Sequence, residues 1–544
     1  MKKAIGYGVL FGVMLAFAAA SIALLGERLA GLPLVPFRLF DGMARILPGA
    51  AITLGIDAIV AVIRALRLGP TDTTAKLAEQ TLAVIQFLGL GALLGGLLAV
   101  VGRRDAGGLR KAGYLAGAAL FILMMLVEAF LGFLAVGPIL TTAWLAALSF
   151  GWGAALAWVL RRALAGAGQP EGKAVSRRAF LYLVGGGLLT VSVGSIGLAS
   201  WLRKEPESAL VDSGEEVLDI ADTSGPAASP SQEILAARSE AAPGTRPELT
   251  TNKDFYRIDI NTRPPQVDGG PWRLKLEGLV RTPLSLTLDE LRAMPTVSQV
   301  VTMQCISNPI GGDLTSTSRW TGVRFKDVLD RAGLLREAQA ITIKSADGFY
   351  ETVRMEDAMD ERTLLVFAMN GVPLPVEHGF PLRIYIPNRY GMKQPKWIES
   401  MEVVDQWLPG YWVSRGWSEE ALVNATSVVD AVFYVNTTTV VDGEAAQAAQ
   451  DGTVPVGGIA WAGSRGISRV EVQVDDGPWI EAVLRTPPLS PLTWVQWRYD
   501  WQRQAGRHTF RVRAYDGAGL LQATTSRPVR PDGATGVHEL TVNL

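Results

Sequence analysis

Few side chains in this 544-residue chain are capable of metal or redox chemistry, and their scarcity narrows what it can do. There is one cysteine, Cys305, and there are three histidines, His378, His508 and His538. A lone cysteine excludes an intrachain disulfide, an iron–sulfur cluster held by this chain alone and a Cys-x-x-Cys-His haem attachment. No histidine precedes His378, so the apolar first part of the chain has no imidazole pair to ligate a haem. A solitary thiol is ordinarily a small buried hydrophobe, but as a thiolate it is a soft ligand for a soft metal. Cys305 stands in Gln304-Cys-Ile-Ser-Asn-Pro-Ile-Gly-Gly312, among turn formers in place of aliphatics, which favours the ligand. Downstream, His378, Arg383 and Lys396 supply the groups that neutralise a phosphate, or else are ordinary loop and strand-flanking residues.

Such residues need a scaffold, and composition divides the chain in two. Residues 1 to about 202 are rich in Leu, Ala and Gly, with spanning candidates at 4–25, 81–102, 113–136, 139–160 and 179–201, each near the ~20 apolar residues a bilayer core demands. The segment 46–66 is weaker, since it carries Pro48, Asp57 and Arg64. Cationic clusters mark the cytoplasmic side: Lys2 and Lys3; Arg103, Arg104, Arg110 and Lys111; Arg161, Arg162, Lys173, Arg177 and Arg178. Placing all of them inside requires 46–66 not to span fully. That gives five crossings and delivers residue 203 to the extracytoplasmic side. Ser176-Arg177-Arg178-Ala179-Phe180-Leu181 resembles a twin-arginine export signal, here internal and retained as an anchor; the plainer reading is a basic helix flank. Glu128 and Asp57 are intramembrane acids, each either functional or a protonated carboxyl bonded to a neighbouring helix.

Residues 205–248 hold ten acids against two arginines, with few large apolar groups, and are expected to be a flexible acidic linker over 203–249. Beyond it, short strands at Trp272–Val280, Ile341–Lys344, Leu364–Ala368, Leu382–Ile386 and Trp397–Val404, with a helix over Leu284–Met294, predict an α+β domain over 250–425. A hairpin at Arg469–Trp479 with Asp-Gly at its turn, and a strand at Thr509–Ala514, predict an immunoglobulin-like β-sandwich over 426–544. The fold class is therefore multi-domain: a transmembrane helical region (1–175), an anchor helix (176–202), the linker and two soluble domains. A net charge of −1, with neither a basic stripe nor zinc-ligand spacing, argues against a nucleic-acid partner.

The run from Cys305 to Val323, with Phe325-Lys-Asp-Val-Leu329 after it, resembles the molybdenum-binding segment of the sulfite oxidase family. Met369-Asn-Gly-Val-Pro-Leu-Pro-Val-Glu-His-Gly-Phe-Pro-Leu-Arg383, then Lys396-Trp397, resembles a second block of that family, and Asn252-Lys-Asp-Phe-Tyr-Arg257 its first cofactor contact. Ala460-Trp-Ala-Gly463, Gly466–Val472 and Arg513-Ala-Tyr-Asp-Gly517 resemble its sandwich domain, which often mediates dimers. Residues 1–175 resemble no recognised family. The resemblance implies a molybdenum–molybdopterin cofactor with Cys305 as metal ligand. It assigns pterin contacts to Asn252, Phe255, Tyr256, Arg257, Asp347, His378, Arg383, Gln394, Pro395 and Lys396. No haem or iron–sulfur cluster is expected in this chain, so electrons would pass to an external c-type cytochrome or the quinone pool.

By the same resemblance Arg257 aligns with a sulfite-binding arginine, and Arg530 with one supplied by the sandwich. Two positions depart from the family: Ile310 replaces a second arginine, and Trp417 stands where a catalytic tyrosine is expected, with Tyr411 and Arg415 nearby. The expected function is two-electron oxygen-atom transfer, most simply sulfite oxidation outside the cytoplasm by a multi-pass membrane protein. Reduction of S-oxides or N-oxides is the alternative. A non-enzymatic envelope scaffold has no need of Cys305 or of the His378/Arg383 pair, and a transporter is disfavoured by the scarcity of polar groups before residue 200.

Overall fold

Among the described residues of the computed structural model, seven helices occupy the first part of the chain: α1 (Lys2–Ala30), α2 (Val35–Ile46), α3 (Gly49–Leu66), α4 (Thr71–Arg104), α5 (Leu109–Leu131), α6 (Pro138–Leu164) and α7 (Arg177–Trp201). The structure describes residues 2–66, 68–104, 108–132, 137–164, 177–202, 230–433 and 452–544. Five of the helices are long and apolar enough to cross a membrane: Ala4–Ala30, Thr71–Gly102, Leu109–Leu131, Pro138–Leu164 and Tyr182–Trp201. Only a shorter apolar stretch, Gly49–Ile63, lies within α3, below the ~20 residues a span requires. The expectation of five spans, with 46–66 set apart, agrees.

Lipid offers no hydrophobic drive for helix association, so close backbone approach must supply it. Gly8 and Gly12 of α1 face Gly91 and Gly95 of α4. A Cβ at Gly12 would lie 2.1 Å from the Gly91 carbonyl oxygen, and one at Gly95 2.1 Å from that of Gly8. Glu128 of α5 is fully buried, yet a neighbouring helix meets it with a cation. Arg38 of α2 donates Nε and Nη2 to its two oxygens at 2.8 and 2.6 Å, and Nη2 also reaches the Gly132 carbonyl at 2.7 Å. Its partner is thus an arginine on a neighbouring helix. The four residues Ile260–Arg263 also belong to the helical unit. There the Asp41 carboxylate accepts from Thr262 N and Oγ1 at 2.9 and 3.3 Å, and Arg263 pairs with Glu27 at 2.5 Å.

The second unit comprises Pro70–Asp72, Pro206–Asp259 and Pro264–Leu544. Its strands in chain order are β1 (Leu274–Gly278), β2 (Leu284–Leu286), β3 (Thr296–Gln304), β4 (Thr315–Arg324), β5 (Ala340–Ser345), β6 (Tyr350–Arg354), β7 (Leu364–Met369), β8 (Val372–Pro373), β9 (Arg383–Tyr385) and β10 (Ile398–Val404). They form two five-stranded sheets. One has the order β2-β1-β10-β5-β6, and the other runs β3-β4-β7-β8 with β9 paired to β7. The helix expected over Leu284–Met294 is shorter. Leu284–Leu286 pairs with β1, and helix Leu288–Arg292 begins at Thr287, whose hydroxyl and Glu290 form a reciprocal capping box.

The C-terminal strands are β11 (Thr426–Val432), β12 (Thr453–Trp461), β13 (Ile467–Val474), β14 (Trp479–Glu481), β15 (Val483–Leu484), β16 (Val495–Gln502), β17 (Arg507–Asp516) and β18 (His538–Asn543). They make two four-stranded antiparallel sheets, β11-β12-β16-β15 and β14-β13-β17-β18, which share a core of Val429, Val456, Trp497, Val470 and Phe510. The Asp-Gly hairpin is present, with Gln473 opposite Trp479. β3 lies at the edge of its sheet, where unpaired backbone is a liability, and the segment Ser490–Trp494 covers it. Thr302 N donates to Leu492 O at 3.0 Å, and Trp494 N to Thr302 Oγ1 at 2.9 Å.

The linker expected over 203–249 requires correction. Residues 203–229 lie outside the described residues, but 230–249 are ordered against the sandwich. A short helix, α8 (Gln232–Ala236), is capped by Ser231. Arg238 grips Glu248 at 2.6 and 2.8 Å, Arg246 pairs with Asp430 at 2.9 Å, and Gln496 donates to the Arg246 carbonyl at 2.6 Å. The acid count was an average over the whole stretch, whereas both arginines and Glu248 are committed to specific partners at its end.

The Arg38–Glu128 pair carries a stability prediction. Arg38→Met leaves the buried carboxylate unpaired and lowers the stability of the bundle by about 3–5 kcal/mol, whereas Arg38→Met with Glu128→Leu recovers most of the loss. Thermal unfolding of the detergent-solubilised protein reads both variants.

Candidate active site

Cys305 directly follows β3, its amide donating to Leu314 O at 3.0 Å across the loop that returns as β4. The loop closes because Asn308 Oδ1 accepts from Leu314 N at 3.0 Å, the role an asparagine plays in a tight turn. The thiol is buried, with Ser307 Oγ 3.0 Å from its Sγ. Burial pushes its pKa up, opposed by hydrogen bonds from Ser307 and by the charge of Lys396. Around it packs a cluster of Phe255, Tyr256, Met303, Leu314 and Trp320. Phe255 stacks on Tyr256 at 5.4 Å and meets Trp320 and His378 edge-on at the same separation. Burial raises the Tyr256 pKa, with Cys305 adding to the effect.

His378 closes one side. Its Nε2 lies 2.7 Å from the Asn252 carbonyl oxygen, so the neutral ring donates there. Burial lowers its pKa to about 3, and Lys396 and Arg383 act in the same direction. Asn252 is thereby used through its backbone, while its side chain accepts from Asn370 at 2.8 Å.

Arg383 begins β9, and its side chain lies under the site. Nη1 donates to His378 O at 3.0 Å, the guanidinium covers the Trp320 ring at 4.5 Å, and Nε is buried with no hydrogen-bond partner. Among the described residues no carboxylate pairs with it. Burial lowers its pKa to about 10, so it stays charged at neutral pH. Lys396 contacts Asp259 and Glu377 O and covers the Trp397 ring at 4.4 Å. Burial lowers its pKa, against the pull of Asp259. Gln394 donates to Arg389 O at 2.9 Å while its Oε1 is buried and unpartnered, and Pro395 O accepts from Ile384 N at 3.1 Å.

The expected residues thus fall into groups. Phe255, Tyr256, Cys305, His378, Arg383 and Lys396 converge. Arg257 joins them through Asp259 at 2.5 Å. Asp347 caps the β5–β6 turn by accepting from Phe349 N at 2.9 Å, and its neighbour Ala346 N donates to Trp397 O at 2.9 Å. Trp417 and Arg530 form a pair of their own, the guanidinium 4.5 Å from the ring, with Trp417 Nε1 and Arg530 Nε both buried and unpartnered. Ile310 lies beside Ile459 and Trp461 of the sandwich, in a cavity also lined by Gln304, Asn308 and Val428. Sequence reasoning passed over Asp259, although its place two residues after Arg257 was the available signal. It also passed over Trp320, whose role as the shelf under Arg383 depends on strand register.

The donor set fits an anionic, soft-metal cofactor. Lys396 acts on the thiol, Arg383 on the neighbouring Tyr256, and Arg257 joins Lys396 through the Asp259 carboxylate. The orphaned Arg383 Nε and Gln394 Oε1 are the hydrogen-bonding edges a pterin and its phosphate would satisfy.

His378 makes the fold sensitive to acid. Its folded pKa, about 3, lies below the ordinary 6.5, so between these values the unfolded chain binds the extra proton and stability falls as pH falls. The slope from this one group is about 1.4 kcal/mol per pH unit in that window. Denaturant titrations of His378→Gln between pH 7 and pH 4 should show a flatter decline than wild type.

Residues 261–412 match the family described as oxidoreductase molybdopterin binding domain. The "Putative protein-methionine-sulfoxide reductase subunit YedZ1" of Azospira oryzae is 33% identical over 28% of this chain and 56% of its own length. Mitochondrial sulfite oxidase of Rattus norvegicus is 32% identical over 48% of this chain and 54% of its own. The chain thus spans about half the length of these curated relatives. Among solved structures, the sulfane dehydrogenase SoxCD of Paracoccus pantotrophus is 19% identical, covering 63% of this chain and 91% of that one with a TM-score of 0.46. With its lone thiol on this β-rich framework, residues 261–412 carry an oxidoreductase molybdopterin-binding domain, similar to that of the sulfite oxidases.

Proposed function

We propose that this chain is a membrane-anchored oxidoreductase that moves an oxygen atom and two electrons at a molybdenum cofactor, with sulfite or a related small oxyanion as substrate. The observation that carries the reading is the buried Cys305 thiol within the charge of Lys396, beside a buried Arg383 that has no carboxylate partner among the described residues. When bound, the cofactor supplies the two-electron oxygen-atom exchange. The protein's part is to hold and orient. Cys305 supplies the thiolate ligand, which the raised pKa of the free thiol makes dependent on a cationic partner. Asn252, Phe255, Tyr256, His378, Arg383, Gln394, Pro395 and Lys396 hold the pterin, and Asp347 secures the turn beside Trp397. Arg257 and Arg530 attract the oxyanion, and Trp417 fixes the plane of the Arg530 guanidinium.

The reading puts the catalytic part on the extracytoplasmic side, supported by Lys2, Lys3 and the later cationic clusters taken with five candidate spans. A c-type cytochrome or the quinone pool receives the electrons, and the C-terminal sandwich is the candidate face for a homodimer. A second reading, S-oxide reduction, is favoured by Ile310 and Trp417, apolar where sulfite-oxidising relatives carry polar groups, and by the name of the Azospira oryzae relative.

Molybdenum and pterin content of the purified chain, measured with sulfite-dependent dye reduction on the same sample, tests the proposal. About one metal per chain with sulfite turnover is expected, and Cys305→Ala should abolish turnover, a loss of at least roughly a thousandfold for a directly ligating residue. Stoichiometric metal without sulfite turnover transfers the reading to S-oxides; absence of molybdenum from a host that makes the cofactor overturns it.

A further inference from the structure

We infer that Asp259 is a positioning residue for the anion-binding arginine: its carboxylate fixes the Arg257 guanidinium at Nε, with Lys396 as counter-cation, so that the two terminal nitrogens of Arg257 face an oxyanion. This deepens the reading above and rests on it. The Asp259 side chain is 1% exposed, and its two oxygens have different partners. Oδ2 accepts from Arg257 Nε at 2.5 Å, and Oδ1 accepts from the Lys396 ammonium. The Arg257 amide is held as well, donating to Asp72 Oδ2 at 2.9 Å. Among the described residues the Nη groups of Arg257 have no hydrogen-bond partner, while its side chain remains 24% exposed. A guanidinium is a rigid planar fork, so an acceptor fixed at Nε sets the plane in which the remaining donors point. The Asp259 carboxylate pairs with the side chains of both cations, and its field reaches His378 and Arg383. Without it, the repulsion between Arg257 and Lys396 would lose the carboxylate that offsets it.

The sign of one measurement separates positioning from plain charge. Asp259→Asn removes a negative charge, so a carboxylate acting by field alone would make the site more attractive to anions when lost. A carboxylate that orients Arg257 would make it less so. The probe is sulfate, an unreactive tetrahedral dianion, bound at equilibrium to the full-length holoprotein and followed by calorimetry, with molybdenum content and thermal midpoint taken on every sample. Wild type, Asp259→Asn, Arg257→Ala and the double variant form a cycle. Asp259→Asn is expected to weaken sulfate binding by about tenfold, within the range for residues in direct contact. It should have no further effect in the Arg257→Ala background. Unchanged or tighter binding, an equal loss in both backgrounds, or no sulfate binding by wild type each overturns the inference. If Asp259→Asn does not fold, Asp259→Glu replaces it, keeping the charge but displacing it by one methylene. Weaker sulfate binding with metal retained then upholds the role, and unchanged binding overturns it. Molybdenum content of wild type judges the cofactor reading separately, since the sulfate cycle is read without turnover.

Discussion

A buried guanidinium without a carboxylate is the constraint around which the soluble part is arranged. Taking a cation out of water is expensive unless hydrogen bonds and an opposite charge replace its hydration. Arg383 has the His378 carbonyl, the face of Trp320 and a long contact to Met303 Sδ at 3.7 Å, yet no carboxylate pairs with it among the described residues. Each of those partners must be held by something else. Trp320 is held by β4, paired along its length with β3; His378 is held by the Asn252 carbonyl; and the β3 edge is covered by Ser490–Trp494 from the sandwich. The sandwich therefore serves the site before any question of dimerisation arises, because it closes the strand that leads into Cys305.

The helical unit obeys a different economy. Its helices approach through glycine faces, and the fully buried acid Glu128 is met by an arginine from the short amphipathic α2. The pair gives Glu128 a structural role complete in itself, so a proton or quinone function is not required to account for an intramembrane carboxylate.

Much of this was legible in residue order. The five spans follow from run length, and the sheets from alternation and turn residues, because both periodicities are local. The site residues near Cys305 were legible through block order. What remained hidden depends on pairing across the fold. The acid count over 205–248 could not distinguish acids left in water from Glu248, which is clasped by Arg238. Leu284–Met294 has helical content throughout, but its first residues are captured by β1, a tertiary claim that overrides propensity. Asp259 lay in plain view beside Arg257, but its second partner, Lys396, is far along the chain.

The departures at Ile310 and Trp417 are consistent with one another once placed. Ile310 borders a cavity wall made of Ile459 and Trp461, an environment in which an arginine would lose its hydration without an evident counter-ion. Trp417 gives Arg530 a flat face, holding the guanidinium by its π-surface and leaving the edge free. On the proposed reading, the substrate pocket lacks one charge and has another held flat against Trp417. With fewer cations, attraction at a distance matters less and donor direction matters more. Discrimination in such a pocket rests on whether a substrate oxygen meets fixed N–H groups, since a buried donor left unpaired costs more than a missing apolar contact.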